Sequence, residues 1–173
     1  MTTNDAECLA WAVGTLAVGP TDRLLEIGCG HGVAISLVVG KLGDGHITAI
    51  DRSAKMIAMV EKRNAVHVAA DKATFQVTSL ADMDLGDKWF DKIFAVNVDL
   101  FRAAHDAELA VITRHLSATG ALYLVHQDPW VPKSPAPTER LIENLAASDF
   151  MIAHVLRQEM TQLPINCIVA CPS

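Results

Sequence analysis

Two hydrophobic periods alternate along the chain and lay out a succession of helices and strands. From Asp5 to Ala17 the apolar residues Leu9, Ala10, Val13, Leu16 and Ala17 recur at helical spacing until Gly19-Pro20 stops the segment. An amphipathic covering helix is therefore expected within residues 1–19, with Trp11 off the main stripe, either covering a pocket or shielding an edge. Leu24 to Ile27 reads as a short buried strand, Val33 to Leu42 as a helix ended by Gly43-Asp44-Gly45, and His46 to Ile50 as a strand closed by Asp51. Ser53 is expected to cap a helix from Ala54 to about Ala69, and Phe75-Gln76-Val77 to form a third strand. The stretch from Trp89 to Val98 is nearly unbroken in apolar character after its aromatic-Asp opening, as strands covered on both faces are. Ala104 to Leu116 predicts a helix, Ser117 to Gly120 a turn, and Ala121 to Val125 a fifth strand. A proline-rich stretch, Pro129 to Pro137, excludes helix and central strand. Beyond it come a helix, Glu139 to Ala147, and two strands, Phe150 to Leu156 and Asn166 to Cys171. Strands alternating with helices impose an α/β architecture with a sheet sandwiched between helical layers.

Composition narrows this to one unit. The chain has 173 residues of which 51% are hydrophobic, enough for one substantial core, so residues 1–173 are expected to form a single domain. The proline-rich segment is not read as a linker, because too little chain follows it; residues 129–138 are expected to form a flap over the crevice, with Trp130 a candidate substrate contact, or a plain surface loop. A net charge of −6 without a Lys/Arg block removes the bulk attraction that supports nucleic-acid binding and favours a small-molecule substrate. The longest apolar run is far short of a membrane span and the polar start lacks a basic n-region, so a cytoplasmic monomer or homodimer without a membrane partner is expected. Cys8, Cys29, Cys167 and Cys171 lack C-x-x-C spacing, which argues against zinc, and the last two are expected as free thiols on one strand face.

Candidate chemistry centres on Glu26-Ile27-Gly28-Cys29-Gly30-His31-Gly32 between the first strand and its helix. Glycine at every second position permits a tight turn and lets a ligand approach the main chain, while the helix start offers free N–H groups. The dinucleotide fingerprint needs its third glycine where this chain has Val33, which counts against a nicotinamide cofactor. Asp51, at the end of the second strand, is placed to accept both hydroxyls of a ribose, or else serves the start of the following helix. Asn97, Val98 and Asp99 end the central strand and face the ligand crevice.

The pattern Glu26-x-Gly28-x-Gly30-x-Gly32, followed in order by Asp51, the Thr78-Ser79-Leu80 turn and Phe90-Asp91-Lys92-Ile93 leading to Asn97, resembles class I S-adenosylmethionine-dependent methyltransferases. The resemblance spans roughly residues 20 to 128. It implies a Rossmann-like three-layer sandwich with a mainly parallel seven-stranded sheet and an antiparallel C-terminal strand. It also implies S-adenosylmethionine as cofactor, held by Glu26, Gly28, Cys29, Gly30, Gly32, Asp51, Arg52 and Asn97. Ser79 stands where the family commonly has an adenine-binding acid, so the Ser79 hydroxyl, the Leu80 N–H and Met56 are expected to complete that slot, with Asp82 a substitute. The N-P-P-Y form of base-amine methylation is absent.

On the acceptor side His126 is the first candidate base, since imidazole titrates near neutrality; Asp99, His105 and Asp128 are the others. No complete metal-ligand set is visible, although Asp99 and Asp128 offer two oxygens. The expected function is methyl transfer to an O, N or C nucleophile on a small molecule. The competing readings are a non-catalytic cofactor-binding module or partner subunit, an NAD-dependent oxidoreductase, and aminopropyl transfer, which needs an acidic polyamine pocket.

Overall fold

The computed structural model describes residues 3–98, 106–127 and 137–173. Its elements follow in the order α1 (Thr3–Thr15), β1 (Arg23–Ile27), α2 (Val33–Val39), β2 (His46–Asp51), α3 (Ala54–Arg63), α4 (Ala65–Ala69), β3 (Ala73–Val77), β4 (Phe90–Val96), α5 (Asp106–His115), β5 (Leu116–Gln127), α6 (Pro137–Ala147), β6 (Phe150–Gln158) and β7 (Ile165–Pro172). The strands form one seven-stranded sheet of order β3-β2-β1-β4-β5-β7-β6. Neighbours from β3 through β5 are parallel, and β7 runs antiparallel to both β5 and β6. The expected Rossmann-like sandwich, with its mainly parallel sheet and antiparallel ending, is thus the observed fold.

The apolar runs are explained by burial on both faces. Leu24 of β1 packs with Ile47, Ala49 and Phe94 beneath Val13, Ile35, Val38 and Val60 of the first three helices and Leu16 just after α1. Its neighbour Leu25 points the other way, into a cluster with Ile50, Ile93 and Leu122 that α5 and α6 close through Leu109, Ile112, Leu141 and Leu145. Removing such a side chain, as in Leu24→Ala, costs about 2–5 kcal/mol. Trp11 of α1 packs against a third cluster, around Val125 and Cys167, which is the edge-shielding alternative for this residue. All four cysteines are free thiols. Among the described residues no helix is long and apolar enough to cross a membrane.

Three elements depart from the sequence pattern, each for a local reason. The helix read through Leu42 ends at Val39 and tightens into a final turn, with Lys41 N–H donating to Val38 O and Leu42 N–H to Val39 O. The helix expected from Ala54 to Ala69 breaks at Asn64, whose side-chain amide donates to the Val60 carbonyl and competes with the helix ladder. The turn at Ser117 to Gly120 exists as an excursion inside a longer strand: Leu116 pairs with Phe90 and Ala121 with Lys92, so four residues stand opposite Asp91 alone. Ser117 Oγ donates to Asp91 Oδ1 at 3.2 Å and fastens the excursion.

Strand order reverses between β1 and β4, since β1 leads outward to β2 on one side while β4 leads to β5 on the other. At such a switch point the carboxyl ends of the strands leave a crevice that no crossover helix fills. Gly28 follows β1 and Asn97 follows β4, so the glycine loop lies at this crevice.

Candidate functional site

The loop after β1 is held in a conformation that only glycine adopts cheaply. Gly28, Gly30 and Gly32 have φ of 72°, 49° and 68°. A Cβ at Gly32 would stand 1.9 Å from Val60 Cγ2, and one at Gly28 would stand 2.7 Å from Val98 Cγ2, so α3 and the end of β4 press directly on the loop. A Cβ at Gly30 would instead enter open space. The loop is pinned to β2 by Gly28 N–H and Cys29 N–H, which both donate to the Ile50 carbonyl at 2.8 and 3.0 Å.

Asp51 fastens the same corner through its side chain. Its Oδ2 accepts from Gly30 N–H at 3.0 Å and its Oδ1 from Ser53 N–H at 2.8 Å. Ser53 in turn caps α3, its Oγ accepting from Met56 N–H at 3.3 Å. The two roles weighed for Asp51 therefore share one carboxylate: each oxygen holds one backbone N–H and keeps a second lone pair for an incoming hydroxyl.

Two cavities flank the loop and both reach Gly28. One, of about 390 Å³, lies on the α1 side and is lined by Glu26, Cys29, Gly30, Gly32 and Arg63 among others. The second, of about 510 Å³, is lined by Asp51, Arg52, Thr78, Ser79, Asn97 and Val98 together with Ile27 and Ile50. Glu26 alternates with Leu25 on β1, so its side chain points toward α1 and α2 into the first cavity. It is 3% exposed, and its Oε2 finds no partner. Burial, and then the negative charge of Asp51, push its carboxyl up to about 8. Burial likewise pushes the Cys29 thiol up to about 12, with Glu26 and Asp51 adding to it, so Cys29 is an inert loop residue with no thiolate character.

The remaining candidates are distributed unequally. Asn97 lies at the mouth of the second cavity with φ of 54°, its Oδ1 accepting from Gln127 N–H at 3.0 Å and its own N–H donating to Val125 O. Asparagine tolerates the left-handed region, which explains the residue type at this bend. Ser79 lines the second cavity, but its hydroxyl donates to Asp82 Oδ2 at 2.6 Å, which joins the two residues offered for adenine into one turn. The Leu80 side chain packs in the core and lines neither cavity. Met56 sits half-buried in the first turn of α3 and lines neither cavity. His126 is buried, 4% exposed, with Nε2 against Thr138 Oγ1 at 2.9 Å, and it too lines neither cavity. Asp99, His105, Asp128, Trp130 and the proline-rich stretch through 136 lie outside the described residues, whereas Pro137 and Thr138, expected in the flap, instead open α6, where a proline removes no intrahelical hydrogen bond. Among the described residues no group of three or more His, Cys, Asp or Glu side chains could hold a metal ion.

Sequence reasoning did not single out Arg63 or Asn64. Asn64 is fully buried, donating through Nδ2 to Val60 O at 3.1 Å and Gly32 O at 3.4 Å while Oδ1 accepts from Ser36 Oγ at 2.8 Å. A poor helix former inside an otherwise helical run was the available signal.

Comparisons with known proteins agree with this geometry. Residues 24–120 match the family described as "Methyltransferase domain". A malonyl-[acyl-carrier protein] O-methyltransferase from Bacillus cytotoxicus is 30% identical over 102 residues, covering 58% of this chain and 33% of that protein. The curated relatives are longer, and the chain spans between 24% and 61% of their lengths. In fold the chain is similar to a SAM-dependent methyltransferase from Aquifex aeolicus, with a TM-score of 0.75 at 15% identity over 94% of this chain and 88% of that one. It is also similar to the [4+2]-cyclase SpnF, with a TM-score of 0.77 at 18% identity over 96% of this chain and 81% of that one.

Proposed function

The chain belongs to the class I S-adenosylmethionine-dependent methyltransferases, and on that premise we propose that it transfers the donor's sulfonium methyl group to an O, N or C nucleophile of a small-molecule acceptor. The observation that carries this reading is the pair of cavities meeting at Gly28, one with a buried unpartnered carboxyl oxygen and the other with Asp51 at its edge. These residues fit the cofactor in pieces. Asp51, Arg52, Thr78, Ser79, the Leu80 N–H and Asn97 suit an adenosine, and Glu26 with the open side of Gly30 suits an amino-acid end bearing an ammonium. The rigid elements that share one sheet with this site support reading residues 1–173 as a single methyltransferase-like unit, with α1 as its cover.

The donor supplies an activated methyl group, so the protein's task is alignment and exclusion of water. The glycine floor and the carboxylate of Asp51 fix the donor from below, and the crevice side of Asn97 and Val98 presents the acceptor from above. No general base is required by this chemistry. His126, buried against Thr138 and away from both cavities, is assigned an orienting role for α6 rather than proton abstraction.

Calorimetric titration with S-adenosylmethionine, S-adenosylhomocysteine and NAD(H) tests the reading. Binding of the first two is expected, weakened by Asp51→Ala by about 1.5–3 kcal/mol through loss of charge-assisted hydrogen bonds. Tighter binding of NAD(H) would overturn it. Cofactor binding without S-adenosylhomocysteine formation across a broad acceptor panel would leave a binding module in place of an enzyme.

A further inference from the structure

The crossover from β3 to β4 differs from the others in the parallel part of the sheet. The connections β1 to β2, β2 to β3 and β4 to β5 each carry at least one helix, whereas residues 78–89 form only turns. Strand order accounts for this. The chain must pass β2 and β1 to reach β4, roughly 14 Å sideways, while also returning along the length of the sheet, and a helix rising about 1.5 Å per residue is too short for that path. Leu80, Met83 and Leu85 of the crossover pack with Leu25 and Ile50. Nearer the amino end the same sheet face turns polar: Arg23 precedes Leu25 by two positions, His46 and Thr48 precede Ile50 in the same alternation, and Thr74 alternates with the oppositely facing Ala73. These side chains line a cavity of about 410 Å³, with Thr48 only 3% exposed at its floor.

Four charged residues follow one another along the rim of this cavity. Asp71 lies just before β3, Asp44 just before β2, Arg23 opens β1 and Lys88 lies just before β4, so in sheet order the rim reads two acids and then two cations. None of the four is in an ion pair with a described residue. Arg23 is drawn away from Asp44 by Trp89, whose ring centre lies 4.8 Å from the guanidinium on the β4 side. The backbone fixes the others: a Cβ at Gly45 would stand 2.4 Å from the Asp22 carbonyl oxygen, His46 Nδ1 donates to Asp71 O at 3.0 Å, and His115 Nδ1 donates to Lys88 O at 2.7 Å. We propose that this cavity is a second ligand site, separate from the methyl-transfer crevice at the other end of the sheet. It binds a zwitterion of the ω-amino acid class, the carboxylate on Arg23 and Lys88 and the ammonium on Asp44 and Asp71. Two acids offset two cations here, so a plain anion or cation meets like charge at one end, while a dipolar ligand meets opposite charge at both. The acidic and basic pairs are centred two strand spacings apart, about 10 Å, and a hydrogen bond of ~3 Å at each end leaves roughly 4 Å, more than separates the two charged groups of an α-amino acid.

NMR titration of the isotope-labelled protein tests the site at the Trp89 indole N–H, a signal identified by its loss in Trp89→Phe. Addition of 4-aminobutanoate should shift this signal saturably. Its isomer 2-aminobutanoate, with both charges on one carbon, and the singly charged butanoate and butylamine should each bind at least about tenfold more weakly. Lys88→Gln and Asp44→Asn should each weaken 4-aminobutanoate about tenfold, the low end for a charge-assisted hydrogen bond at an exposed rim, and Lys88→Arg should retain the binding that Lys88→Gln loses. Butylamine should be indifferent to Lys88→Gln, and butanoate to Asp44→Asn. Saturating S-adenosylhomocysteine should leave the titration unchanged, and displacement by it would overturn the placement of the site at the amino end. Butanoate or butylamine binding as tightly as 4-aminobutanoate would overturn the zwitterion assignment in favour of a simple ion site. No saturable shift of Trp89 up to about 50 mM 4-aminobutanoate, a range suited to so small a ligand, would overturn the site itself.

Discussion

The sheet carries one cavity at its amino end and the two that meet at Gly28 at its carboxyl end, similar in individual size but opposite in character. The amino-end cavity, about 410 Å³, is lined by Arg23, His46, Thr48, Thr74, Lys88 and Trp89 among others. Its polar groups are settled locally: His46 holds Asp71 O through Nδ1 at 3.0 Å and Thr74 Oγ1 through Nε2 at 2.9 Å, and the Arg23 guanidinium lies 4.8 Å from the Trp89 ring centre. Nearby, Lys92 Nζ donates to Asp22. At the carboxyl end the backbone turns through three left-handed glycines and Asn97, and Glu26 keeps a buried oxygen without a partner. Volume does not distinguish the two ends. A backbone bend open only to glycine and asparagine at low cost, and an unsatisfied buried carboxyl, do.

Breaking the constrained end should cost most. Gly32→Val is expected to destabilise the protein by on the order of 3 kcal/mol in urea unfolding, combining a contact that Val60 cannot relieve with a left-handed φ. Gly86→Ala, also at positive φ but facing open space, should cost about 1 kcal/mol. Equal costs would mean that the press of α3 on the loop is unimportant.

The carboxyl of Glu26 sharpens the contrast through pH. Its folded value, about 8, lies above its ordinary value of 4.5, so between these limits the folded state holds the extra proton. Stability from this group is complete below the lower value and falls as pH rises toward 8, with a slope of at most ~1.4 kcal/mol per pH unit. Glu26→Gln should remove that decline from unfolding curves measured between pH 5 and 8, and a parent whose stability rises across this window would contradict the burial argument. Donor binding should release a proton below pH 8, because the ammonium favours the ionised carboxylate.

The smallest effect is expected at the amino end. Lys92→Met, which breaks the half-buried pair with Asp22, should lower stability by about 1 kcal/mol and leave cofactor affinity unchanged. A loss of affinity there would show that the two ends communicate through β4.

Much of this arrangement is legible in the chain itself, and the exceptions have a common cause. Apolar runs identify β1, β2 and β4, because strands covered on both faces need apolar residues at most positions, and the glycine spacing locates the loop. Asp51 is readable as a candidate ligand residue, yet its hold on Gly30 is not readable, since that bond joins residues 21 apart. Asn64 escapes for the same reason: its partner Gly32 is 32 residues away, and locally it is only a helix breaker. His126 shows the same limit: a histidine at the end of a strand reads as a candidate base, whereas its contact with Thr138 of α6 is revealed by no local pattern.

Strand β7 has a consequence for how the sheet is made. It is the last element in chain order, yet six of its eight residues are buried and it lies between β5 and β6. During vectorial synthesis β5 and β6 therefore have no partner for their facing edges until Ile165–Pro172 is available, and the nascent sheet presents two open borders. Substitutions that weaken β7, such as at Ile168, should thus be felt first as nascent-chain aggregation, before any loss in the finished fold.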